Sequence, residues 1–263
     1  SHVEVALART ERKTSSGHKG FQIFSDPSVK LETDLERRDF TINAMALSRS
    51  GQLTDPFHGY KDLKDRILRH VSKAFSEDPL RVLRGVRFKA QLNNYHFKIA
   101  ENTRNLMITM IKQLSELSVE RINVEIDKIL STDDPTIGLN ELESLAILKQ
   151  IAPEIKSIPQ IFYTTSLEAR YIEWMSRNSA TEDCIKSICN RFKFSNHRKE
   201  ALNVALSLIR NTSMKPKCVI DTMTRLGWLR GNVPDSKLDS VLMELDRANI
   251  TPIPIEHWFK YRA

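Results

Sequence analysis

Beyond Asp55-Pro56, apolar residues recur at the three- and four-residue spacing of helices, and the breaks fall at Pro79, Pro135, Pro153, Pro159 and Pro216. Five of the eight glycines lie in that stretch, and nothing in it alternates long enough to suggest further sheet. The first fifty residues read differently. Residues 2–7 and 20–24 alternate apolar and polar positions, with a polar, glycine-containing stretch at 12–20 between them, which predicts two strands joined by a loop. From Leu35 the period changes: Phe40, Ile42, Met45 and Ala46 recur at helical spacing and predict a helix that ends at the turn around Gly51. The expected fold class is α+β, mostly α: a small α/β head over residues 1–54, then helical parts over 55–130, 131–190 and 191–263.

With 263 residues and 40% apolar content, the chain can bury one or two cores. Forty Lys and Arg against 33 Asp and Glu leave a formal charge of +7, which favours a polyanionic partner such as nucleic acid. No apolar run approaches a membrane span, so no membrane partner is expected, and three cysteines without paired spacing fit a reducing cytoplasm.

The most informative stretch is residues 76–88, SEDPLRVLRGVRF, where Asp78 and Pro79 open a helix that carries Arg81, Arg84 and Arg87 at steps of three. One account is a capped surface helix whose arginines pair with acids in water. The other sets Asp78 and Arg81, one turn apart, against a nucleobase. Cytosine and adenine each offer an amino donor beside a ring-nitrogen acceptor, whereas guanine and uracil offer a carbonyl beside an N–H. A carboxylate only accepts and a guanidinium only donates. Such a pair welcomes C and A, and rejects G and U because those bases leave buried charged groups unpaired, at about 1–3 kcal/mol each. Arg84 and Arg87 are then placed to meet a triphosphate. A second stretch, residues 35–45, LERRDFTINAM, crowds Arg37, Arg38, Asp39, Thr41 and Asn43 together, with more hydrogen-bonding capacity than a helix start needs; Asp39 as a simple cap is the alternative.

RRDFTINAMA at 37–46, DPFHGYKDLKDRILRHV at 55–71, SEDPLRVLRGVRF at 76–88 and LSVERINVEIDKIL at 117–130 resemble, in order, four motifs of the class II tRNA nucleotidyltransferases and related bacterial poly(A) polymerases. The opening VEVALARTERKTSSGHKGF and the stretch HVSKAFSEDPLRVLR at 70–84 are more similar to proteobacterial CCA-adding enzymes. The resemblance is dense to about Leu130 and faint beyond it. It implies a nucleotidyltransferase head followed by a helical neck, body and tail. It also implies addition of C, C and A to tRNA 3′ ends from CTP and ATP, with release of pyrophosphate. A poly(A) polymerase, a CC-only or A-only enzyme, and a non-catalytic RNA-binding descendant stay open as alternatives. Carried onto this sequence, it makes Arg38, Asp39 and Asn43 nucleotide contacts, with Asp39 near the ribose hydroxyls. Asp78 and Arg81 become the base-reading pair, supported by the helix carrying Glu120 and Arg121, and Arg84 and Arg87 become partners of the nucleotide. Residues 12–20 resemble a flexible specificity loop, and Glu4 an auxiliary catalytic acid.

In that family a glycine-rich turn and two carboxylates one residue apart hold the phosphates and Mg²⁺, upstream of the position matching Val3. The sequence given contains no such pattern, and Asp133-Asp134, in a polar turn before Pro135, does not replace it. No metal ligand is therefore assigned within these residues, and little transferase activity is expected of them alone. There is no His-Asp dipeptide, so no phosphohydrolase activity is expected. The basic stretch RFKFSNHRK at 191–199 offers Lys193, Arg198 and Lys199 as candidate tRNA backbone contacts. Trp174, Trp228 and Trp258 are expected in packing.

Overall fold

The structure, a computed structural model, describes residues 7–13, 21–162, 166–178, 182–196, 198–199, 202–203 and 205–206. Glu4, most of the 12–20 loop, Trp228 and Trp258 lie outside the described residues. The chain divides into two compact units, residues 1–151 and 152–263, so the seams expected near 55 and 130 lie inside the first. Among the described residues no helix is long and apolar enough to cross a membrane.

In the first unit, β1 (Arg9–Lys13) and β2 (Phe21–Ser25) form an antiparallel hairpin, with Arg9 opposite Ser25; β2 lies where a strand was expected, whereas β1 begins two residues after the expected 2–7 strand, of which residues 2–6 lie outside the described residues. α1 (Leu31–Glu36) follows and buries Leu35 and Asp34. The helix expected over 40–51 does not form. Phe40 is extended, Thr41–Asn43 makes a single 3-10 turn, and Ala46–Leu47 (β3) pairs with Leu53–Thr54 (β4) across the turn at Gly51, where φ is +86°. Tertiary contacts override the helical spacing. The Thr41 N–H donates to the Arg69 carbonyl (2.9 Å) and the Val71 N–H to the Asp39 carbonyl (3.2 Å), an extended pairing around Phe40 and His70. The Thr41 hydroxyl donates to buried Asp62 (2.8 Å), and the Thr41 carbonyl approaches Gly59 so closely that a Cβ there would lie 2.1 Å from it.

α2 (Gly59–Asp65) leads to β5 (Ile67–Leu68), which pairs in parallel with β6 (Lys98–Ile99), an addition to the sheet content expected beyond residue 55. Between them runs α3 (Leu80–Gln91), opened by the Asp78 carboxylate accepting from the Leu80 N–H at 3.0 Å. Val82, Leu83, Val86 and Ala90 are buried on its inner face. Gly85 allows Phe40 and Met107 to close on the helix. Phe40 sits edge-to-face with both Phe75 and Phe88, at 5.6 Å between centroids in each case. α4 (Glu101–Met110), α5 (Val119–Leu130), α6 (Pro135–Ser144) and α7 (Ile147–Ile151) complete the unit, with α5 and α6 packed on α3. Asp134 caps α6 through the Thr136 N–H (3.0 Å) and Pro135 fills its first turn. Buried Glu141 on α6 receives Lys89 of α3 and Arg104 of α4.

In the second unit, α8 (Leu167–Ser176) and α9 (Glu182–Arg191) bury Tyr171, Trp174, Ile185 and Ile188, and Phe194 packs edge-on to Tyr171 at 4.9 Å. Trp174 is a packing residue, as expected.

Candidate nucleotide-binding cleft

A cleft of about 810 Å³ opens in the first unit between the root of β1, α1, the 37–43 segment, the start of α3 and α5. Its walls carry Arg38, Asp39, Asn43, Asp78, Arg81 and Arg84, six of the seven nucleotide contacts expected from sequence, together with Asp34, Arg37 and Arg121. Leu31, Leu80 and Phe88 supply apolar surface.

Asp78 enters from the turn before α3. One of its oxygens caps Leu80 and the other accepts from Arg121 Nη2 at 2.8 Å, so two of about four acceptor positions are used. Arg81 is anchored through Nη1 to the Ala74 carbonyl (2.7 Å) and through Nη2 to the Arg37 carbonyl (2.5 Å), which fixes the plane of its guanidinium at the cleft wall. Buried Asp39 accepts from Arg84 at 2.6 Å through one oxygen, and from the Phe40 N–H (2.9 Å) and Asn43 Nδ2 (3.1 Å) through the other. Arg38 reaches Asp34 (3.1 Å) and the Asn43 carbonyl (3.4 Å).

Arg87 is the exception. Each three-residue step along a helix falls about 60° short of a full turn, so Arg87 lies about 120° round from Arg81. It is buried between α3 and α5, where Nε donates to Glu125 at 2.6 Å, Nη1 to Gln91 at 2.9 Å, and the guanidinium lies over Phe88. The expectation that Arg87 meets a nucleotide is corrected: it is committed to the α3–α5 contact.

Asp34 is the residue that sequence reasoning missed. It is 5% exposed and accepts from the Arg9 N–H (3.1 Å), Arg37 Nη2 (2.6 Å) and Arg38 Nη2 (3.1 Å). Burial works to raise its pKa, but hydrogen bonds from Arg37, the Arg9 N–H and Arg38 outweigh burial and hold the carboxyl below the ordinary range. Its only signal in the sequence is an acid three and four residues before two arginines.

The cleft's described carboxylates do not suit a divalent ion, since Asp34, Asp39 and Asp78 are each tied to arginine, and among the described residues no group of three or more His, Cys, Asp or Glu is placed to hold a metal. In the second unit, Arg198 lies over Tyr171 and Phe194, with Glu168 at 3.6 Å, and is committed to packing; Lys193, at φ +45°, is exposed and Lys199 half-buried.

Two family patterns match this chain: a poly A polymerase head domain over residues 1–69, and a probable RNA and SrmB-binding site of polymerase A over residues 96–158. A CCA-adding enzyme of Blochmanniella floridana is 51% identical over 163 residues, 61% of this chain and 40% of that protein. Residues 1–69 and 96–158 thus carry the head and RNA-binding patterns of the poly A polymerase family. A multifunctional CCA protein of Vibrio parahaemolyticus is 53% identical over 157 residues, 59% of this chain and 39% of its own length. The crystal structure of the Bacillus stearothermophilus CCA-adding enzyme in complex with CTP shares its fold with this chain, with a TM-score of 0.64, at 24% identity over 86% of this chain and 61% of that one. The chain thus spans about two fifths of the curated relatives it matches.

Proposed function

We propose that this chain carries the base-selecting part of an enzyme that adds C, C and A to tRNA 3′ ends in the cytoplasm, taking CTP and ATP and releasing pyrophosphate. The observation that supports this reading is the convergence of Asp78 and Arg81 on one cleft with Arg38, Asp39, Asn43 and Arg84. Its volume accommodates a nucleotide, and its wall carries both an acceptor, Asp78, and a donor, Arg81, the two functions that cytosine and adenine complement. Relatives named CCA-adding enzyme and the CTP complex of the Bacillus stearothermophilus enzyme point the same way.

The residues divide the work. Arg121 holds the Asp78 carboxylate, an acceptor only, at the cleft wall, and the two carbonyls that grip Arg81 keep its donors in plane. A base of the wrong pattern faces like against like. Arg84 and Arg38 supply positive charge for the triphosphate, and Asp39, once Arg84 turns to phosphate, accepts from the ribose hydroxyls. Lys193 and Lys199 are proposed as weak tRNA backbone contacts.

The test is product analysis with the complete gene product, Mg²⁺ and a tRNA lacking its CCA end. CTP alone should give two added residues, and CTP with ATP a complete CCA end. A long A tail from ATP alone would establish the poly(A) polymerase reading instead, and no incorporation under any condition would favour a non-catalytic RNA-binding protein.

A further inference from the structure

The Arg81 guanidinium is anchored on two backbone carbonyls outside its own helix. Arg81 Nη2 donates to the backbone carbonyl of Arg37, 44 residues away, so the position of residue 37 sets where Arg81 points. Residue 37 is itself fixed through its side chain: Nη2 and Nε donate to Asp34, and Nε also donates to the Arg9 carbonyl at 3.0 Å. The same Asp34 oxygen accepts from the Arg9 N–H, so Asp34 and Arg37 together grip both backbone groups of the first residue of β1. The other Asp34 oxygen holds Arg38. One buried carboxylate therefore joins three parts of the cleft: the root of the β1–β2 hairpin, the two arginines after α1 and, through the Arg37 carbonyl, the guanidinium on α3.

Resting on the proposed function above, we infer that Asp34 is a positioning residue for base selection. It couples the placement of the β1–β2 hairpin to the orientation of Arg81, so that a shift at the hairpin root is felt where the base is read. Asp34 acts on base selection through the arginines it fixes. Removing its charge loosens Arg37, lets the residue 37 carbonyl drift, and releases the anchor of Arg81 on that carbonyl. A ligand-bearing cleft that loses orientation but keeps its positive charge loses discrimination before it loses affinity.

The chain as it stands tests this with two readouts. The first uses no nucleotide: NMR of the Arg81 Nε–Hε group, whose guanidinium rotation is slow while both carbonyl anchors hold. Asp34→Asn should accelerate that rotation and shift the resonance. The second is binding of CTP and UTP by titration, where the CTP:UTP preference should fall about fivefold or more while CTP affinity changes less. A merely structural role would weaken both nucleotides together and leave the ratio intact. Should Asp34→Asn fail to fold, Arg37→Met, which keeps the residue 37 carbonyl but removes its grip on Asp34 and Arg9, should give the same two changes. An unaltered Arg81 resonance in a folded variant overturns the inference whatever the nucleotides do. An altered resonance in a protein whose parent form already binds all four nucleotides alike supports the coupling and sinks the proposed function instead.

Discussion

Replacing Arg87 with Met should destabilise the first unit's core without acting on nucleotide recognition directly, although Arg87 shares its helix and its spacing with Arg81 and Arg84. Arg87 and Glu125 have side chains only 10% and 3% exposed, and meet at 2.6 Å. Removing the guanidinium leaves a carboxylate in the α3–α5 contact, with half-exposed Lys128 beside it at 3.3 Å. Stranding one member of a buried pair costs about 3–5 kcal/mol. For a unit of this size each kcal/mol lowers the midpoint by roughly 2–4 °C, so thermal unfolding should begin some 6–20 °C earlier. Because apolar groups of similar volume can replace a buried pair at little cost, Arg87→Met combined with Glu125→Leu should recover most of the loss. Arg84→Met should do the opposite. Its side chain is 34% exposed, and Asp39 keeps the Phe40 N–H and Asn43 as donors, so the midpoint should fall less than for Arg87→Met, while triphosphate affinity falls about tenfold or more. Differential scanning calorimetry beside CTP titration reads both effects. If Arg87→Met keeps its unfolding midpoint and loses CTP binding, the separation of the two arginines is wrong.

Further outcomes follow from other contacts. Gly59→Ala should destabilise the first unit by about 2 kcal/mol or more in urea unfolding, because its Cβ meets the Thr41 carbonyl at 2.1 Å; an unchanged midpoint would contradict that approach. Burial, and then the neighbouring Arg69 charge, lowers the His70 pKa below 6.5, so the folded state prefers the neutral ring. Its contribution is complete above pH 6.5 and is lost as pH falls through the folded value, so His70→Gln should flatten the decline in stability below pH 6.5; parallel curves for the two proteins would rule this out.

Much of this was legible in the sequence because local chemistry and tertiary structure agree there. Asp78-Pro79 opens α3, Asp134-Pro135 opens α6, and six polar residues from two motifs meet in one cleft. The misreadings share one cause, since each depended on a partner distant in sequence. Phe40 to Ala46 has helical spacing, but pairing with residues 69–71 and the bare backbone of Gly59 hold Phe40 extended and stop Thr41–Asn43 at one turn. β5 and β6 are two residues each, too short for a period. Arg87 looked like its neighbours until Glu125, 38 residues on, claimed it. Asp34 looked like an acid on a short helix, and its partner at Arg9 lies 25 residues back.

The most direct trial of the central claim is the affinity of this chain for each of the four ribonucleoside triphosphates, measured with the parent, Asp78→Ala and Arg81→Ala. The parent should favour CTP and ATP over GTP and UTP, and each substitution should erase that order while leaving overall affinity less changed. Equal binding of all four by the parent, or an order that survives both substitutions, would show that residues 78 and 81 do not read the base.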